Sequence, residues 1–115
     1  MPAVKNAAVQ GYGCYFPRYR LRGEELAKVW GRGSSELPVK EKAVAGLDED
    51  TVTMAVEAAR YALKRAGIDP SAVSAVHVGT ESKPYAVKPS GTLVAEMLGL
   101  SRNTTSADFE FACKA

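Results

Sequence analysis

Cys113, Glu81 and His77 are the side chains of this 115-residue sequence whose type and setting suggest chemistry. Cys113 stands in Asp108-Phe109-Glu110-Phe111-Ala112-Cys113-Lys114-Ala115. Phe109, Phe111 and Ala112 read as the end of a buried strand, and Cys113 falls where a following helix would begin. Orphan backbone N–H groups and the positive end of a helix macrodipole stabilise thiolate over thiol, and the thiolate is the nucleophile. Glu81 follows the short apolar strand Ala75-Val76-His77-Val78-Gly79, in Thr80-Glu81-Ser82. In open α/β sheets ligands sit outside the carboxyl ends of strands, so a carboxylate there is placed for acid–base work. The plainer reading is an exposed loop carboxylate. His77 alternates with Val76 and Val78 and reads as a packed or surface imidazole rather than a catalyst.

Other reactive-looking residues are set aside. Cys14, in Gly11-Tyr12-Gly13-Cys14-Tyr15-Phe16, has no basic group or helix start beside it and reads as a small packed residue. The Gly-x-Gly there lacks a third glycine and leads into Phe16-Pro17, so a dinucleotide loop is rejected; close approach of two backbones explains the glycines better. Arg18, Arg20 and Arg22 would point one way from an extended chain. They read first as a solvated strand edge and second as phosphate contacts for a large anionic substrate.

The elements that must position these residues follow from periodicity and punctuation. Residues 7–16 are β-prone and stop at Pro17. Glu24 to Trp30 predicts a short helix with Leu26, Val29 and Trp30 on one face, Trp30 packed, and Gly31 as stop. Gly31 to Gly46 reads as a loop containing the charged run Lys40-Glu41-Lys42. Thr51 to Ala66 predicts the longest helix, with Asp48-Glu49-Asp50 at its start, Lys64 and Arg65 in its last turn, and Gly67 as cap. Its Val52, Ala55 or Val56, Ala59, Leu63 and Ala66 form an apolar stripe, and its many alanines imply close packing against a sheet. The strand at 75–79 then completes a βαβ unit and implies a parallel sheet. Pro89 opens another helix to about Leu98, closed by Gly99. Ser101 to Ser106 is a polar turn before the terminal strand.

Composition bounds the class. The chain is 46% hydrophobic and 24% charged, with a net charge of +2 and both signs interspersed, as in ordinary globular proteins. That excludes a nucleic-acid footprint or a polybasic membrane patch. No run approaches the roughly 20 apolar residues of a membrane span. The two cysteines form no CxxC pair, suggesting neither zinc site nor disulfide framework and favouring a reducing cytoplasm.

The motifs also carry a resemblance. Gly11-Tyr-Gly-Cys-Tyr-Phe-Pro-Arg-Tyr-Arg20 and Asp48-Glu-Asp-Thr-Val-Thr-Met-Ala-Val-Glu-Ala-Ala-Arg60 look like the start of thiolase-superfamily condensing enzymes. Val78-Gly-Thr-Glu-Ser-Lys-Pro-Tyr-Ala-Val-Lys-Pro89 and Glu110-Phe-Ala-Cys-Lys-Ala115 resemble archaeal-type 3-hydroxy-3-methylglutaryl-CoA synthases, across nearly the whole chain but about the first third of that family's length. The resemblance implies an α/β thiolase-like fold, αβαβα in layers with a mixed, mostly parallel sheet, of which residues 1–115 are the first part. It implies Cys113 as acetyl-accepting nucleophile and Glu81 as the base acting on the acetyl-cysteine methyl. Gly33 and Ser34 would lie nearest the substrate-touching loop, where the family can carry Asp-Ala. The implied substrates are acetyl-CoA and acetoacetyl-CoA, with no metal and no other cofactor. Implied partners are a chain carrying the remainder of the synthase, a second copy in a homodimer, and an acetoacetyl-CoA thiolase joined through a zinc-containing OB-fold scaffold.

Two rivals remain. An initiating ketoacyl synthase shares the cysteine motif but does not use a glutamate after the preceding strand, and a non-catalytic thiolase-fold subunit would keep the fold for assembly. Slow reaction of Cys113 with iodoacetamide, unprotected by acetyl-CoA, would favour the subunit. The expectation for the isolated 115 residues is an inactive, poorly folded chain that completes its sheet with further polypeptide. A monodisperse, cooperatively melting monomer would contradict it.

Overall fold

The structure, a computed structural model, describes residues 6–31, 33 and 38–111. They fall into two compact units: Phe16–Asp50, and a second that joins the chain before it to the chain after it.

In the first unit β1 (Tyr19–Arg22) runs directly into α1 (Gly23–Trp30), and β2 (Glu41–Val44) returns antiparallel to β1. Tyr19 lies opposite Val44 and Arg22 opposite Glu41. The run Lys40-Glu41-Lys42, expected as loop, thus enters a strand. Its signal is weak because three of the four β2 residues are exposed and the ladder rests on backbone pairing rather than an apolar face. Arg20 and Arg22 do lie on a solvated strand, since all four β1 residues are exposed, and Arg18 is exposed just before it. Arg20 is engaged locally, with the Pro17 carbonyl, with the Tyr19 carbonyl at 2.9 Å and with Glu41 at 3.6 Å. Arg18 lies over the Tyr19 ring. Helix α1 ends at Gly31, whose left-handed φ of 62° turns its N–H onto the Ala27 carbonyl. Trp30, expected to be packed, is 73% exposed, because α1 buries only Gly23 and Ala27.

The second unit contains α2 (Thr51–Ala66), a 3-10 turn at Pro70–Ala72, β3 (Ala75–Gly79), α3 (Ser90–Met97) and β4 (Thr105–Phe109). The stripe on α2 buries Val52 and Val56, which meet Val78 of β3 and Val94 of α3 in one cluster, with Ala55, Val76, Leu93 and Leu98 around it. Val56 is 1% exposed and forms its centre. Lys64 and Arg65 occupy the last turn as expected, whereas Asp48-Glu49-Asp50 precede the helix and leave no acid in its first turn. Gly67 and Gly99 follow α2 and α3 at φ 64° and 68°, and stop both helices.

The alanines of α2 accept a close backbone neighbour. A Cβ on Gly11 would come 2.5 Å from the Ala62 carbonyl oxygen and 2.8 Å from Ala66 Cβ, and one on Gly13 would collide with the Ala58 carbonyl. Arg65 secures the same stretch, donating to the Tyr12 carbonyl at 2.9 Å with its guanidinium 4.7 Å from the ring centroid. Exposure alternates here, half-buried at 11, 13 and 15 and exposed at 12 and 14, as an extended chain on a surface requires. Yet residues 6–17 join no ladder, so the expected first strand is extended chain that pairs with no strand among the described residues. Cys14 consequently faces outward and is exposed, not packed. The parallel pair comes instead from β3–α3–β4, in register from Ala75 opposite Thr105 to Gly79 opposite Phe109. Phe111, read as strand, lies beyond it and is exposed.

Gly13→Ala is expected to cost about 1–3 kcal/mol, the range for forcing a methyl into a filled contact. Urea unfolding of the protein checks this, and an unchanged midpoint would deny the backbone contact with α2.

Candidate active site

Parallel pairing brings β3 and β4 to a common carboxyl end. Beyond the last registered pair, Gly79 and Phe109, the Thr80 N–H donates to the Phe109 carbonyl at 3.0 Å and extends the ladder by one residue. Glu81 and Glu110 therefore leave the sheet side by side at one edge. Glu81 is exposed there, at the position expected for an acid–base carboxylate.

The loop that carries Glu81 is tied down on both sides. Ser82 N–H donates to Thr80 Oγ1 at 3.1 Å, and Thr51 Oγ1, at the start of α2, donates to the Ser82 carbonyl at 2.8 Å. Lys83 Nζ reaches Glu110 Oε1 at 2.6 Å, across 27 residues of sequence. The far end of the loop is fixed by Asp108. The first N–H groups of a helix have no intrahelical partner, and Pro89, at the N-cap of α3, offers no side-chain acceptor. Asp108 supplies both oxygens from the neighbouring strand, to Ser90 N–H at 2.6 Å and Gly91 N–H at 2.8 Å. Burial pushes this carboxyl up, but the Gly91 and Ser90 N–H groups, the Lys83 charge and the Ser90 hydroxyl outweigh it, and the pKa lies below the usual aspartate value.

The other expected site residues divide. Gly33 is exposed and belongs to the other compact unit, while Ser34 and Cys113 lie outside the described residues. His77 is exposed on β3, its ring 5.4 Å from Phe109 at 71°, which matches a surface imidazole packed on an aromatic edge. Among the described residues no three His, Cys, Asp or Glu side chains are grouped to hold a metal ion. A groove of about 260 Å³ between residues 8–11 and the end of α2 contains no titratable side chain. Asp108 and Lys83 escaped the sequence reading. An aspartate inside a short strand was the available signal, since that residue type is depleted in strands unless something binds it.

No family profile matches the chain. Individual proteins do. It is 57% identical over 112 residues, 97% of its own length, to the hydroxymethylglutaryl-CoA synthase of Thermococcus onnurineus strain NA1. Over the length they share, the chain is similar in sequence to hydroxymethylglutaryl-CoA synthases. It spans 31% of that relative's length. The solved structure of MvaS in complex with 3-hydroxy-3-methylglutaryl coenzyme A superposes with a TM-score of 0.79 at 28% identity, over 88% of this chain and 25% of that one. A priming β-ketosynthase from the R1128 polyketide pathway superposes with a TM-score of 0.71 at 27% identity, over 88% of this chain and 30% of that one. The fold is thus part of the thiolase type, mixed α/β as the motifs implied. Fold alone does not separate the two enzyme classes, and the higher sequence identity is to the synthase, at 57%. No helix among the described residues is long and apolar enough to cross a membrane.

Asp108→Ala is expected to cost about 1–2 kcal/mol at neutral pH, as for a lost helix cap. The folded pKa lies below the unfolded value of about 3.9. The stabilisation is therefore complete above about pH 4 and drains as pH falls through the folded value. Denaturation midpoints of wild type and variant should converge in acid, and a gap independent of pH would exclude the carboxylate as its source.

Proposed function

We propose that the protein carrying this chain is a hydroxymethylglutaryl-CoA synthase, and that the chain supplies its nucleophile and its base. The observation that carries the reading is Glu81 at the carboxyl edge of β3, beside the exit of β4 toward Cys113, in a sequence 57% identical to such a synthase. The thiolate of Cys113 attacks the acetyl-CoA carbonyl, coenzyme A leaves as thiolate, and an acetyl-thioester forms. Glu81 takes a proton from the acetyl methyl group. The resulting carbon nucleophile forms a bond to the ketone carbon of acetoacetyl-CoA, and the alkoxide gains a proton. Water then cleaves the thioester, restoring the Cys113 thiol and releasing 3-hydroxy-3-methylglutaryl-CoA.

Gly33 and Ser34 contribute to the substrate-facing loop, Gly33 through backbone alone. The product feeds isoprenoid synthesis through mevalonate. In this reading the enzyme works in the cytoplasm without a metal or a second cofactor, and residues 1–115 are the opening part of its thiolase-like domain. Further polypeptide completes that domain, two completed units form a homodimer, and a zinc-containing OB-fold scaffold links it to an acetoacetyl-CoA thiolase.

Glu81→Gln should reduce condensation by about 10²–10⁴-fold, the usual worth of a positioned base, while acetyl-enzyme still forms. Rates measured with acetyl-CoA alone and with acetoacetyl-CoA added separate the two steps. A variant that condenses at the wild-type rate would remove Glu81 from the mechanism and revive the ketoacyl synthase reading.

A further inference from the structure

Lys83 is an odd place for an ion pair. Its side chain is only 15% exposed, whereas its partner Glu110 is 46% exposed. An exposed pair contributes little to stability, and a lysine gives up both hydration and rotamer freedom to lie so far in. Generic surface stabilisation therefore does not account for it. Its position does. Lys83 stands two residues after Glu81, and Glu110 stands three residues before Cys113. The pair is the side-chain link, at 2.6 Å, between the two segments that leave the sheet together.

The rest of the frame makes that link decisive for Glu81. Thr80 is fixed by its N–H on the Phe109 carbonyl, and Ser82 by Thr51 on its carbonyl. Asp108 fixes the loop's other end through Ser90 and Gly91. Between Ser82 and Ser90 the Lys83–Glu110 pair ties the loop to the segment after β4. We infer that Lys83 and Glu110 form a positioning clamp that sets Glu81 relative to the segment leading to Cys113. Neither residue exchanges a proton or a bond with substrate. The inference rests on the synthase reading above, and it adds two residues to that mechanism.

The clamp should matter where Glu81 and the acetylated cysteine must be aligned, and not where the cysteine alone reacts. In the full-length enzyme, Lys83→Met should lower condensation by about 10- to 100-fold, the range for small misplacement of a catalytic group. Acetyl-enzyme formation from acetyl-CoA should be unchanged, and so should the KM for acetyl-CoA. Glu110→Gln should show the same split, the double variant should be no worse than either single one, and Lys83→Arg should retain most activity. If Lys83→Met fails to fold, Glu110→Gln and Glu110→Asp are read for the same split.

Wild-type condensation in Lys83→Met would overturn the clamp. Acetylation and condensation falling together would do so too, as would losses that multiply in the double variant. A wild-type enzyme that never acetylates Cys113 would instead overturn the synthase reading itself, so the two failures are distinct.

Discussion

Two backbone N–H groups at the start of α3 have no partner in their own helix, and the carboxylate of Asp108, on β4, takes both. A parallel strand pair needs a crossover, and here the crossover helix is bound to the second strand by a charged cap rather than by apolar packing alone. That cap fixes where the loop from β3 must arrive. Once residues 90 and 91 are held against β4, the segment after Gly79 has ten residues in which to leave the sheet, present Glu81 and return. The lysine of that loop then finds Glu110, and the serine before it finds Thr51 on α2. Stability and site geometry share these few contacts.

The second constraint is the close approach of backbone to α2. Gly11 and Gly13 have no Cβ because Ala62, Ala66 and Ala58 leave no room for one. Small residues on both sides let an extended segment lie directly on the helix, with Arg65 holding Tyr12 in place. α2 is thereby pinned on one side by residues 11–13 and anchored on another by Val52 and Val56 in the valine cluster. Its first residue, Thr51, reaches the Glu81 loop from this fixed base.

Much of this was legible. Helix α2 matches its reading from Thr51 to Ala66 because it has length, a continuous stripe and a terminating glycine. Gly31, Gly67 and Gly99 each stop the helix they were read to stop, because a left-handed residue is a local requirement that glycine meets alone. The misses are non-local. β2 holds two charged residues and three exposed positions out of four, so its strand character lives in the pairing with β1 and not in its own pattern. Residues 7–16 have the pattern of a strand, but they pair with no strand among the described residues. Cys14 and Trp30 were read as packed from residue type, and their exposure depends on what surrounds them. Asp108 carried one weak signal, an aspartate within a strand, but its ligands are backbone groups 17 and 18 residues away. Glu81 does follow the strand after which it was read, its role resting on the strand-end rule and the family resemblance, while Lys83, two residues on, was quoted in the same motif without a role.

The central claim is that the segment after β4 delivers the reacting thiol to the edge where Glu81 waits. The most direct measurement is peptide mapping of the protein after exposure to acetyl-CoA, since Cys14 is also exposed and offers an internal rival. The account predicts one acetyl group, on Cys113, formed in preference to Cys14 and discharged when acetoacetyl-CoA is added. Acetylation on Cys14, on both cysteines alike, or on neither would contradict it.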